Sequence, residues 1–151
     1  MIWQDFLITR DVPEQEIAAA LATVFNVAQD RVLVVEDLMT YPGVLTDEIG
    51  IRCERQSATG DFVLSLTIYL LNKDFEQFVE AHDDIDLIGR MCRIWDCAAL
   101  VSDDSLNPYS WLLVRGPDDV QPAHVDAESL DDDIWVLTAV PEAAGASPPM
   151  D

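Results

Sequence analysis

The sequence predicts an α+β domain: a mainly antiparallel sheet with two helical segments packed on one face. Three observations predict it. Short apolar runs with two-residue alternation recur along the chain and read as strands. Two longer stretches repeat their apolar residues at helical spacing. The resulting order, β-α-β-β-β-α-β-β-β, places strands in succession across short turns, which favours antiparallel neighbours.

Trp3 to Thr9 alternate loosely and form the first strand. Asp11, Pro13, Glu14 and Glu16 mark a helix start, with proline near the first helical position and acid in the first turn. Ile17, Leu21, Val24 and Phe25 continue it to about Asn26, and its alanines permit close packing on a sheet. Arg31 to Leu38 contains Val-Leu-Val-Val, a buried strand, and Tyr41-Pro42-Gly43 is a turn. Glu48 to Gln56 alternates, with Ile49, Ile51 and Cys53 on one face. The turn Ala58-Thr59-Gly60-Asp61 leads into Phe62 to Leu71, so the two runs read as a hairpin. Phe62, Leu64, Leu66, Ile68 and Leu70 are expected to share a face.

Asp74 is placed to cap a helix carrying Phe75, Phe78 and Val79, and Asp83 or Asp84 to restart one carrying Ile85, Ile88, Cys92 and Trp95. These are either two short helices or one bent helix. Cys97 to Ser102 is a further apolar run, followed by the loop from Asp103 to Pro108. Tyr109 to Arg115 is a strand, Gly116 to Asp119 a turn, and Val120 to Val125 an edge strand weakened by Pro122. Asp131-Asp132-Asp133 leads into Ile134 to Val140, the last strand or a short helix. Residues 1–140 are read as one domain. Residues 141–151, rich in Ala, Gly, Ser and Pro with little to bury, are read as a flexible tail.

Charge bears most directly on function. Eight Lys and Arg face 29 Asp and Glu, for a net charge of −21, while half the residues are hydrophobic. The chain therefore has a core to fold around, and its field repels anions and steers toward cations. Nucleic-acid binding needs clustered basic groups that displace counterions. The eight here are scattered, so direct binding to nucleic acid or to an anionic membrane is not expected, and a basic protein is. The N-terminus has no basic segment followed by a long apolar run, no stretch is long enough to span a membrane, and the cytoplasm is the expected location.

No motif for catalysis or for a cofactor emerges. There is no phosphate-cradling glycine loop. His82 and His124 are the only imidazoles, and neither lies beside a candidate nucleophile in a known pattern. Cys53, Cys92 and Cys97 lack the second close pair of a structural zinc site and read as buried apolar cysteines. The aspartate clusters lack the twelve-residue spacing of a calcium loop. No catalytic residue, metal ligand or cofactor is therefore assigned.

The candidate binding residues lie in the second half. After Asp96 the one basic residue is Arg115, whereas carboxylates recur at Asp103, Asp104, Asp118, Asp119, Asp131, Asp132 and Asp133. Tyr109, Trp111 and Trp135 are interleaved with them, and aromatic anchors inside a charged rim suit a Lys/Arg-rich partner. The competing expectation is that both tryptophans point into the core.

The run CAALVSDDSLNPYSWLLVRG, Cys97 to Gly116, resembles the strand, acidic turn and strand of small acidic bacterial immunity proteins from contact-dependent and polymorphic toxin systems. The resemblance implies an antitoxin that binds a cognate toxin domain, often a basic nuclease, and blocks its active site. It transfers no individual residue. The other readings open at this point are a secretion-type chaperone or adaptor, a mimic of nucleic acid, and an enzyme that uses carboxylates with a metal.

Overall fold

The computed structural model describes residues 1–36 and 49–138. The expected turn at Tyr41 to Gly43, one end of each of three expected strands (Arg31 to Leu38, Glu48 to Gln56 and Ile134 to Val140) and the tail from Pro141 lie outside the described residues. The fold is α+β, and its sheet is mostly antiparallel. No helix among the described residues is long and apolar enough to cross a membrane.

In chain order the elements are β1 (Ile2–Ile8), α1 (Glu14–Phe25), β2 (Val32–Val35), β3 (Ile51–Ser57), β4 (Thr59–Gly60), β5 (Leu64–Leu70), α2 (Lys73–Glu80) and α3 (Asp84–Trp95). They continue with β6 (Ala99–Ser102), β7 (Ser110–Gly116), β8 (Asp119–Val125), α4 (Ala127–Asp131), β9 (Ile134–Trp135) and β10 (Leu137–Thr138). Eight strands form one sheet in the order β10-β8-β7-β6-β1-β5-β3-β2. Every pair in it is antiparallel except β2 with β3.

Alternation builds the main core. Leu64, Leu66, Ile68 and Leu70 of β5 are buried while Ser65, Thr67 and Tyr69 face the other way. Phe6 and Ile8 of β1, Ile51 and Cys53 of β3, and Ala99 and Val101 of β6 join them on the face covered by α1, α2 and α3. The 74–95 region is two helices, not one bent helix. Asn72 caps α2 by accepting from the Phe75 N–H at 3.1 Å, two positions before the expected Asp74, and Asp83 caps α3 through Ile85.

α3 lies close to the sheet because residue 89 is glycine. A Cβ there would sit 2.5 Å from the backbone carbon of Gly116 and 2.5 Å from the nitrogen of Pro117. Gly89→Ala thus opposes two effects. Helix propensity favours alanine by about 1 kcal/mol. Overpacking against backbone, which cannot rotate aside, costs about 1–3 kcal/mol. The clash is expected to win, lowering the urea midpoint at unchanged m-value. A raised midpoint would show that α3 can lift from β7 at little cost.

The opposite face of the sheet carries a second, smaller core of Leu7, Phe62, Leu100, Leu113, Ala123 and Val125. It is closed by the segment after β8. No periodicity in the sequence announces α4. Its Leu130 packs on this face, and Trp135 and Leu137 follow. β9 pairs in parallel with β4, a strand formed from what reads as a plain turn. Gly60 permits this approach, with φ of 113° and a virtual Cβ 2.3 Å from the Trp135 carbonyl oxygen. Asp61 fastens the junction, its N–H donating to Trp135 O at 2.7 Å and its carboxylate accepting from Leu137 N–H at 2.8 Å.

Phe62 does not share the face of Leu64 as alternation suggests. It lies ahead of β5, where the chain has left the ladder, and it fills the second core. Of the run Ile134 to Val140, expected as the last strand or a short helix, the described part to Thr138 forms two short strands that serve different sheets. β8 carries Pro122 along the stretch that β10, which pairs only with His124 and Val125, leaves open.

Candidate acidic docking groove

β1, β6 and β7 bring Met1, Ser102 and Ser110 to one end of the sheet, and the α2–α3 corner arrives there from the helical face. Between them is an open groove of about 560 Å³. Trp3, Val79, Ile85, Val101 and Leu112 supply apolar surface, and Glu80, Asp83, Asp84, Asp103 and Asp104 supply five carboxylates. Among the described residues no lysine or arginine lines it.

Three of the five carboxylates, those of Asp83, Asp84 and Asp103, are held by hydrogen bonds. Asp84 accepts from the Trp3 indole N–H at 2.9 Å and from the Gln4 amide at 3.0 Å, tying the start of α3 to β1. Asp83 is the α3 cap. Asp103 accepts from the Ser105 N–H at 3.0 Å and from the Ser110 hydroxyl. Asp104 adopts a left-handed φ of 61°, which aspartate tolerates better than most residues. All these donors are neutral, so the bonds orient the carboxylates without cancelling their charge. The Met1 ammonium, which donates to Leu70 O at 2.8 Å, adds one positive charge at the groove, and the positive end of α3 about half a unit, which five carboxylates outweigh.

The Ser110 hydroxyl, joined by the Ser105 contacts, holds the Asp103 carboxyl below its ordinary value of 3.8 against a smaller effect of burial. A depressed folded value means that Asp103 stabilises the loop fully above the unfolded value and loses this as pH falls through the lower, folded one. The difference in urea midpoint between the wild type and Asp103→Asn is therefore expected to be constant above about pH 5 and to shrink below about pH 4. Solvent screening at this accessible site keeps the difference small. A difference that grows on acidification would contradict the assignment.

Five of the eight basic side chains are engaged away from the groove. Arg10 pairs with Glu16, Arg55 with Asp11 and Glu36, and Arg90 with Asp86. Arg31 and Arg52 lie over the rings of Phe75 and Tyr69.

The residues expected to bind do not form one patch. Asp103 and Asp104 stand on the groove. Asp118 and Asp119 are at the opposite end of β7, about 20 Å away at the usual rise of a seven-residue strand. Asp131, Asp132 and Asp133 are exposed, running from the last residue of α4 to the start of β9. Tyr109, Trp111 and Trp135 are half-buried against the second core, on the other face of the sheet. Trp111 and Trp135 meet edge to face at 5.4 Å, and the Trp111 N–H donates to Pro108 O at 2.9 Å. Their packing closes the terminal segment over the sheet.

Sequence reasoning missed Trp3, Glu80, Asp83 and Asp84 as parts of a surface. Asp83 and Asp84 carried a signal, but only as helix caps. Cys97, expected to be buried, is half-exposed, because it follows the end of α3 and precedes β6. His82 stacks on Phe78 at 4.2 Å, and His124 lies near Tyr109. Among the described residues no three His, Cys, Asp or Glu side chains converge as a metal cage. Comparison with protein-family models, with curated proteins and with solved structures gives no match.

Proposed function

We propose that the protein is a non-catalytic binding protein, an immunity-type inhibitor that neutralises a basic partner such as a toxin nuclease domain. The observation that carries this reading is the groove: five carboxylates around apolar surface, without a lining lysine or arginine among the described residues, in a chain of net charge −21. A lysine or arginine entering it lays its aliphatic stem on Trp3 and Leu112 while its head meets Asp104 or Glu80. Carboxylates then stand where a nuclease would hold phosphates. Exposed pairs at the rim speed association, and the desolvated floor slows release. A cytoplasmic setting suits this role.

The assignment is tested by titrating the protein with a short oligo-arginine peptide and following backbone amide shifts. Changes are expected to concentrate at Trp3, Asp83 to Ile85, and Asp103 and Asp104. Equal or larger changes at Asp118, Asp119 and Asp131 to Asp133 would show that cations respond to net charge alone and would overturn the groove as the site.

A further inference from the structure

The second feature of chemical interest is a pair of thiols at the other end of α3. The helix ends in a left-handed residue, Asp96, with φ of 53°. The Asp96 N–H returns to Arg93 O at 3.4 Å, and the Cys97 N–H to Cys92 O at 3.0 Å. This pair of bonds defines a Schellman cap, which brings the side chains three residues inside and two residues beyond the helix end into contact. In α1 the same motif, closed by Asn26 and by Val27 N–H to Ala22 O at 2.9 Å, brings together alanine and valine. In α3 those two positions are Cys92 and Cys97, and both side chains line one pocket at the helix end.

The surroundings suit a reactive thiol. Cys92 is fully buried and Cys97 half-exposed, so one sulfur is reachable and the other waits behind it. An open pocket of about 470 Å³ gives access, lined by both cysteines with Thr9, Arg93, Asp96 and Arg115. The Arg10 guanidinium is held nearby by the Trp95 carbonyl at 2.9 Å and by Glu16 at 3.3 Å. Three of the eight basic residues of a strongly acidic chain thus gather at this pair, against Asp96 and Glu16. Cationic neighbours favour thiolate, the form that attacks electrophiles. The Cys92 thiol, then Arg10 and the Thr9 backbone, draw Cys97 below the ordinary thiol value, against the opposing effects of burial and Asp96. Cys53, fully buried in β3, is pushed up by burial and serves as an internal reference.

We propose that Cys92 and Cys97 are a peroxide-oxidised dithiol, with Cys97 the site of attack and Cys92 the resolving thiol. The Cys97 thiolate attacks one peroxide oxygen. The S–O bond forms, the O–O bond breaks, and hydroxide, or alkoxide from an organic peroxide, leaves. Cys92 then attacks the Cys97 sulfenic acid. The S–S bond forms, the S–O bond breaks, and the hydroxyl departs as water with the Cys92 proton. The two sulfurs lose two electrons and the peroxide gains them. The product ties the end of α3 to the entry of β6. It does not depend on the groove or on any partner.

The test uses the reduced full-length chain and hydrogen peroxide, with remaining thiols blocked by maleimide under denaturing conditions. Trypsin cleaves after Arg93, between the two cysteines, so the disulfide joins two peptides that otherwise separate. Expected is a loss of two hydrogens in intact mass, one maleimide adduct on Cys53, and a Cys92–Cys97 linked peptide pair reversed by dithiothreitol. On the unoxidised chain, iodoacetamide is expected to label Cys97 at least about tenfold faster than Cys53. In Cys92→Ala the reaction should stop at a sulfenic acid on Cys97 that dimedone captures. Wild-type chain that shows no linked pair, or that oxidises at Cys53 first, would overturn the proposal without recourse to any variant.

Discussion

Replacing Trp95 with alanine is expected to remove about 3–5 kcal/mol of stability, the usual range for deleting a fully buried tryptophan. The side chain is wholly inaccessible and is the largest in that condition. Its indole N–H donates to the Glu16 carbonyl of α1 at 3.2 Å, and its own carbonyl accepts from Arg10 at 2.9 Å. The substitution therefore opens a cavity and removes the hydrogen bond that ties α3 to a carbonyl of α1. Domains of this kind are commonly stable by about 5–15 kcal/mol, so the variant has little reserve. Urea unfolding followed by circular dichroism measures the loss. Trp95→Phe, which keeps most of the volume and loses the hydrogen bond, should cost about 1–2 kcal/mol. A loss below about 1 kcal/mol in the alanine variant, the range of ordinary substitutions, would mean that α1 and α3 are not joined through this residue.

The second large effect is on association. Glu80→Gln, Asp83→Asn and Asp104→Asn together remove three negative charges from the groove while sparing the fold. Glutamine replaces an exposed side chain at the end of α2. Asparagine keeps the oxygen that caps Ile85, and it tolerates the left-handed backbone at residue 104. Asp84 and Asp103 are left alone because each accepts two hydrogen bonds that organise the site. Association with a basic partner is expected to slow by about tenfold at low salt, with dissociation much less changed. The two proteins should converge as ionic strength rises and the screening length falls to a few ångströms. Equal low-salt rates, measured by stopped flow, would remove the groove from the encounter.

What the sequence discloses and what it hides follow from the range of the interactions. Leu64 to Leu70 is legible because a strand covered on one face alternates, and Ile85 to Trp95 because a helix on a sheet repeats its apolar residues every three or four positions. The β4–β9 pair is not legible. Two-residue strands have no period, and Thr59 and Gly60 are strand only because Ile134 and Trp135 come to lie beside them. α4 is a single turn capped by Asp126 within a run of acids, so its signal is lost among carboxylates that are only solvated.

The candidate site divides the same way. The acid of Asp103-Asp104 is plain in the sequence, but its neighbours are not. Trp3 and Asp84 meet across 81 positions, a juxtaposition that local pattern cannot report. Trp111 and Trp135 stand among aspartates in the sequence, and their half-buried rings pack on the second core, a contact that only the fold discloses. Charge density points to a cationic partner, and topology is needed to find where carboxylates and apolar surface coincide.

The most direct test of the central claim is capture from lysate of the source cell, at low and at high salt. The wild type and the triple variant carrying Glu80→Gln, Asp83→Asn and Asp104→Asn are immobilised side by side. Mass spectrometry should identify a basic protein held in stoichiometric amount by the wild type at low salt, released at high salt, and retained poorly by the variant. A captured protein that the two hold equally at both salts, or no specific capture by the wild type at either, would contradict it.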